Sequence, residues 1–319
     1  MKEKKIKKSS KLKKAGIIII SLIFAIPLIL NKLIFILSNK NDDEEGEIYK
    51  WHKGDIFYTV KGEGKPILFI HQTNIGSSHK EWIKNIDELS KYYKVYAIDL
   101  LGYGKSAKVA ISYTTYTYTL LINSFIKDVI KRPTAVIASS SSAAAAVMAA
   151  KYEKENIKRL ILIEPTGIED NYTTTDDCKI LKLLETPFIG TCIYNYFASK
   201  TKIKKFLEND AIFSKELISK ELINTYYIEA HRGGANSRYT FASNTAKFMN
   251  INIKEAIKDL NIPIYIIWGE ETKINPISNM EILENIRPDI FYAIFESTRL
   301  LPQYENSTEF NKLVREFLK

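Results

Sequence analysis

Cysteine occurs only twice in this sequence, at Cys178 and Cys192. Two thiols cannot build a disulfide framework, so a buried apolar core has to hold the fold. Each reads as a buried thiol, and a single bridge between the two stays open. Histidine is nearly as scarce, with four residues, His52, His71, His79 and His231. No group of His, Cys, Asp and Glu has metal-ligand spacing, and neither a metal nor a cofactor is expected. There is no internal repeat.

Apolar residues are plentiful. At 319 residues, 45% hydrophobic and 12% aromatic, the chain can bury one large domain with an insertion and does not have the composition of a disordered protein. The formal charge of +9 is unevenly spread: residues 1–14 carry eight lysines and one glutamate, which leaves only +2 for everything that follows. A basic tail beside a nearly neutral remainder is not the footprint of a nucleic-acid groove, so no nucleic-acid partner is expected.

Residues 15–37, Ala15 to Leu37, are almost wholly apolar and close to the roughly 20 residues that span a hydrocarbon core. Asn31 to Ser38 offers no small-x-small cleavage site and no cysteine lies nearby for a lipid anchor, which favours a retained transmembrane helix over a cleaved signal peptide. Lysines precede the span, and Asp42, Asp43, Glu44, Glu45 and Glu47 follow it. The charge asymmetry predicts a single-pass protein of the cell membrane, with a cytoplasmic amino terminus and the globular part on the extracytoplasmic side. Residues 38–49 then read as an acidic linker.

From Ile48 onward strand and helix patterns alternate. Strands are predicted at Ile56 to Val60, Pro66 to Ile70, Lys94 to Leu100, Ala135 to Ile137 and Arg159 to Ile163, with helices at His79 to Tyr92, Tyr118 to Ile130 and from the serine run through Lys151. Such alternation points to a mostly parallel sheet flanked by helices. After Pro165 the rhythm breaks, and residues 166–257 read as helical until strands return at Pro263 to Trp268 and Phe291 to Phe295.

Between one of these strands and its helix lies TAVIASSSSAAAAVMAA, from Thr134 to Ala150. A serine nucleophile on a sharp strand-to-helix turn needs small neighbours two residues before and after, and Ala138, Ser140 and Ser142 satisfy that spacing. By itself the stretch reads equally as a serine-rich start to an alanine helix packed on a sheet. Together with ILFIH at Ile67 to His71, AIDLLGYGKS at Ala97 to Ser106, RLILIEPTG at Arg159 to Gly167, IYIIWGEE at Ile264 to Glu271 and the closing segment from Leu301 to Leu318, it makes residues 50–319 resemble the α/β-hydrolase superfamily. The resemblance implies an α/β-hydrolase core over residues 50–165 and 258–319, with a helical lid over residues 166–257. The GKS at Gly104 to Ser106 is not a phosphate loop, because Asp99 stands where a Walker motif needs glycine.

The resemblance also assigns roles. Ser140 takes the nucleophile position, and the oxyanion donors would be backbone NH groups of Gln72 or Thr73 and of Ser141, with the Asn74 side chain as an addition. His71 corresponds to a histidine that is more often structural. The remaining triad positions are altered: the usual acid position is Thr272 and the usual histidine position is Leu300. Leucine cannot accept a proton, and without a base a serine hydroxyl is a poor nucleophile. His231, in the lid segment EAHRGGANSRY, is the replacement a flexible cap could bring over Ser140, with Glu271 or Asp170 as orienting acid; its bland alternative is a histidine bonded locally near the Gly233 and Gly234 turn. Two functions follow. One is a membrane-anchored serine hydrolase of esterase or lipase type acting on a small or amphipathic ester-like molecule. The other is a catalytically silent hydrolase fold that binds a small-molecule, lipid-like or protein partner. Lid aromatics such as Tyr194, Tyr196, Phe197, Tyr226, Tyr227, Tyr239 and Phe241 suggest an apolar pocket, though such residues more often form lid core.

Overall fold

The structure, a computed structural model, describes residues 45–169 and 178–319 together with positions 25, 29, 32, 33, 35 and 36. Most of the predicted span over residues 15–37 and the candidate acid Asp170 lie outside the described residues. Among the described residues no helix is long and apolar enough to cross a membrane.

Eight strands form one sheet: β1 (Glu47–Trp51), β2 (Gly54–Lys61), β3 (Lys65–Ile70), β4 (Tyr93–Ile98), β5 (Thr134–Ser139), β6 (Ile157–Ile163), β7 (Ile264–Gly269) and β8 (Phe291–Phe295). Their spatial order is β1-β2-β4-β3-β5-β6-β7-β8. The β1–β2 and β2–β4 pairs are antiparallel and all others are parallel. The parallel strands read as unbroken apolar runs because both faces are covered. Leu68, Ile70, Val136, Ala138, Leu160 and Trp268 point into one core; Ile67, Phe69, Ile137, Ile161, Ile163 and Ile267 point into the other, where Trp82 and Phe310 close the layer. β1 starts inside the stretch read as linker. Its sequence EIYKW exposes every residue but Tyr49 and Trp51, so an edge strand carrying charges blends into the acidic run before it.

Between β6 and β7 the described chain is helical, with helices at Cys178–Glu185, Ile189–Phe197, Lys200–Phe206, Lys220–His231, Arg238–Thr245 and Lys254–Asp259. Because this insertion leaves from the C-terminal end of one central strand and returns at the start of its neighbour, it covers the strand ends where β5 hands over to its helix.

Candidate active site

Ser140 sits between β5 and the helix Ser141–Tyr152 with φ 55° and ψ −124°. A residue with a Cβ in that region stores roughly 1–3 kcal/mol of backbone strain, which persists only where the surroundings over-determine the turn. Here they do. The Ser140 N–H donates to the Ile163 carbonyl at 2.7 Å, tying the turn to the end of β6. The Ser142 hydroxyl donates to Ser139 O at 2.8 Å. Ala138 and Ser142 are fully buried, and the helix buries Ala143 to Ala150 with side chains small enough to lie close to the sheet.

The turn opens into a cavity of about 380 Å³ whose walls come from the β3 loop, the β4 loop and the lid. Much of that wall is polar: Thr73, Ser77, Ser141, Ser237, Thr240 and Asn244 all contribute. The Ser77 and Ser237 hydroxyls are buried there without a hydrogen-bond partner among the described residues. Of the lid aromatics, Tyr194 and Phe241 reach the cavity. Tyr226 packs into a separate lid core, and Tyr196 and Phe197 lie exposed on the outer surface.

Of the four predicted oxyanion donors, Thr73, Asn74 and Ser141 line the cavity and Gln72 does not. The Gln72 N–H is taken: it donates to Glu81 Oε2 at 3.0 Å, and the Asn74 amide is turned back onto Gln72 Oε1 at 2.6 Å. What remains is the pair of backbone amides at Thr73 and Ser141, the latter an orphan N–H of the first helical turn. The two residues are held together by a hydrogen bond between their hydroxyls. The Thr73 carbonyl is fixed by the Tyr103 hydroxyl at 2.9 Å and by the Asn244 side-chain amide. Thr73 and Ser141 thus line the cavity beside Ser140, with the Thr73 loop fixed by hydrogen bonds.

Among the described residues no histidine lines the cavity. Leu300 lines the cavity together with Ser140, and Ser140 Oγ makes no hydrogen bond to another group among the described residues. His231 lies on the lid helix but does not line the cavity. Its Nδ1–H donates to the Tyr227 carbonyl one turn earlier, at 2.8 Å, and its ring rests 4.4 Å from the Tyr227 ring. Burial lowers its pKa, so it stays neutral and locally bonded. Glu271 is exposed on the surface. The structure therefore does not bring Ser140, His231 and Glu271 together. His71 is a strut: the Leu100 N–H donates to its Nε2 at 3.0 Å and its Nδ1–H donates to Gln72 O at 2.6 Å. Burial pushes its pKa down to about 4. His79 is bound to Asp99, whose carboxylate lies 2.8 Å from its Nδ1. Burial raises the Asp99 pKa, but the His79 charge and hydrogen bonds outweigh it and hold the carboxyl well below the usual range.

Two buried carboxyls escape a reading of the sequence. Glu164 follows β6 with φ 44° and accepts from the Gly269 N–H at 3.1 Å and the Thr272 hydroxyl at 2.7 Å. Burial pushes its pKa up to about 7, against those two donors. Glu81 accepts from the Gln72 N–H and, at 2.8 Å, from the Gln303 side-chain amide, and burial lifts it too to about 7. A lone carboxylate ending the run LILIE was the available signal for Glu164. Glu229 on the lid lines the cavity, but it is gripped by Arg232 at 2.7 and 3.0 Å and by Lys80 at 2.9 Å, so it serves only as an acceptor.

With this geometry in place, similarity to known proteins bears on the fold. The family model for the alpha/beta hydrolase fold matches residues 65–182, the stretch that holds the β3 loop, the elbow and the start of the lid. The chain has the α/β-hydrolase fold. By sequence it is 24% identical over 282 residues to a 2-hydroxy-6-oxononadienedioate/2-hydroxy-6-oxononatrienedioate hydrolase of Pseudomonas sp, covering 87% of this chain and 95% of the relative. It is 20% identical over 269 residues to the pimeloyl-[acyl-carrier protein] methyl ester esterase of Aliivibrio fischeri (strain MJ11), covering 82% and 97%. Among solved structures it is similar to a serine hydrolase involved in carbazole degradation, with TM-score 0.71, 19% identity, and 86% and 98% of the two chains covered. It is also similar to a membrane phospholipase A described as a bacterial virulence factor, with TM-score 0.70, 18% identity, and 100% and 98% covered.

Proposed function

We propose that this chain is a member of the α/β-hydrolase superfamily that uses the Ser140 cavity to bind a small or amphipathic ester-like molecule without efficient turnover. The observation that carries this reading is Leu300: the family's base position is filled by an alkyl side chain beside Ser140, and no imidazole lines the cavity. A hydroxyl without a base to take its proton loses most of its nucleophilic advantage. The cavity itself is intact and, at about 380 Å³, falls within the range of small-ligand sites. A second reading, a serine hydrolase with Ser140 as nucleophile, is supported by Thr73 and Ser141, the expected oxyanion residues, both lining the cavity with Ser140. We also retain the membrane anchor as a proposal, resting on the apolar length of residues 15–37 and the charge asymmetry across it.

Labelling with a fluorophosphonate separates the two readings, because this reagent modifies only serines with an activated hydroxyl. The binder leaves Ser140 unlabelled while a panel of amphipathic esters raises the thermal midpoint of the protein, since a ligand of the folded state stabilises it by mass action. Rapid labelling that vanishes in Ser140→Ala would establish the hydrolase instead.

A further inference from the structure

The outer surface of the lid combines exposed apolar side chains with a strong excess of lysine. From Cys178 to Phe206 the chain carries six lysines against a single acid, Glu185, giving +5 in 29 residues; outside this stretch and the basic tail the remaining sequence is net acidic by three. On the same helices large apolar side chains face outward: Leu183 is 47% exposed, Ile189 49%, Tyr196 58% and Phe197 43%. The helix Cys178–Glu185 shows how this arises. It buries Leu181 and Leu184 against the lid interior, which leaves Lys179, Lys182, Ile180 and Leu183 on the opposite side. The ammonium of Lys202 lies over the Tyr196 ring, 4.7 Å from its centroid, so charge and aromatic surface are interleaved.

A buried lid core explains the inward half of each helix and nothing explains the outward half. Scattered apolar residues on a protein surface need no account, but apolar side chains interleaved with lysines on adjacent helices have the chemistry of an interfacial surface. Aliphatic and aromatic groups enter the acyl boundary while ammonium groups meet lipid phosphates. A second observation brings part of the apolar amino-terminal stretch to the lid. The Phe35 ring, from the apolar amino-terminal stretch, lies 3.4 Å from where a Cβ would stand on Gly234 of the lid. Gly234 is near this surface, since Arg238 just beyond it donates through Nε to the Glu185 carbonyl at 3.0 Å. Residues 38–46 can stretch no further than about 30 Å, so a chain anchored through residues 15–37 keeps the lid within reach of the bilayer and at high effective concentration there.

We infer that the outer face of the lid, Cys178 to Phe206, docks on an anionic phospholipid surface and holds the cavity mouth towards the bilayer. The geometry of docking rests in part on the anchor proposed above, whereas the chemistry of the face does not. A polar cavity beneath a membrane-facing lid suits a ligand drawn from the lipid surface by its headgroup end.

The full chain, with Cys178 and Cys192 changed to serine, is reconstituted with vesicles of phosphatidylcholine containing about a third phosphatidylglycerol. An environment-sensitive fluorophore is attached at Leu183→Cys or Tyr196→Cys, and at Lys158→Cys, on the opposite end of the sheet, as control. Docking predicts a blue shift and a several-fold fall in iodide quenching at the two lid positions only, with quenching by brominated lipid. It also predicts that Lys182→Glu/Lys202→Glu/Lys204→Glu, checked for an unchanged circular dichroism spectrum, loses the protection. Carbonate-resistant flotation of the same vesicles reports the anchor separately. Flotation with lid probes fully open to iodide overturns docking and leaves the anchor standing; lid protection without flotation supports docking and removes the anchor. Equal protection in pure phosphatidylcholine overturns the anionic specificity, and protection that survives the triple charge reversal overturns the role of the lysines.

Discussion

The Thr272 hydroxyl donates a 2.7 Å hydrogen bond to Glu164, so the residue standing where the family places its acid is bound to a carboxylate that arrives from the neighbouring strand. A carboxyl group thus stands in this region at the end of β6, with none at the Thr272 position after β7. Restoring an imidazole should therefore be sufficient on its own. Leu300→His is expected to gain fluorophosphonate labelling at Ser140, and Leu300→His/Thr272→Asp to label less well. In the double variant a second carboxyl is forced against the buried Glu164 and the hydroxyl donor is lost, at a cost of about 1–3 kcal/mol in urea denaturation. Stronger labelling by the double variant would show that Glu164 does not act as the acid.

Glu81 and Glu164 make stability depend on pH in an unusual direction. Each has an ordinary value of 4.5 and is raised to about 7 in the folded state by burial. Between those values the unfolded chain has released protons that the folded chain still holds, so stability declines as pH rises from about 4.5 to 7 and levels off above. His71, lowered from 6.5 to about 4, and His231, also lowered by burial, work in the opposite sense, while Glu305, raised by burial, adds to the decline. Urea midpoints measured from pH 5 to 8 should fall, and Glu81→Gln or Glu164→Gln should each remove up to about 3 kcal/mol of that fall. A stability that climbs over this interval would contradict protonated carboxyls at both sites.

Ser140 holds a conformation that glycine adopts far more readily. Ser140→Gly is expected to raise stability by roughly 1 kcal/mol, whereas Ser140→Ala, which keeps the Cβ, should leave the denaturation midpoint nearly unchanged. Equal midpoints for both variants would mean that the turn is relaxed in solution.

Lid and core are joined through Glu229, which receives Arg232 from its own helix and Lys80 from the core. Glu229→Ala strands a buried guanidinium and should cost about 3–5 kcal/mol. Hydrogen exchange should accelerate throughout Lys220–His231 more than in the sheet strands. Uniform acceleration across the whole domain would instead make lid and core one cooperative unit.

The sheet was legible because its parallel strands are covered on both faces, so that the run Leu160 to Ile163 has no polar alternation to blur it. β1 was not, since an exposed edge strand with glutamate and lysine looks like the linker it adjoins. At the site, Ala138, Ser140 and Ser142 could be found by spacing because the constraint there is local: backbones pass close and side chains must be small. The partner of Ser140 could not. The ring of His231 is held back along its own helix by the Tyr227 carbonyl, a contact that sequence spacing does not reveal. Glu164 acquires its meaning from Gly269 and Thr272, more than a hundred residues away. The polar character of the cavity was equally hidden, for its hydroxyls are contributed singly by loops and helices that only the folded chain assembles.

The alanine helix behind the elbow has a consequence for how such a protein changes over generations. Its side chains are so small that the helix axis lies close against β5 and β6, and relaxing the Ser140 turn would mean lifting the whole helix and filling the gap with larger residues at many positions together. Loss of a proton acceptor needs one substitution. A lineage can therefore shed its chemistry in a single step and still inherit the posture of the nucleophile indefinitely, which leaves the way back equally short.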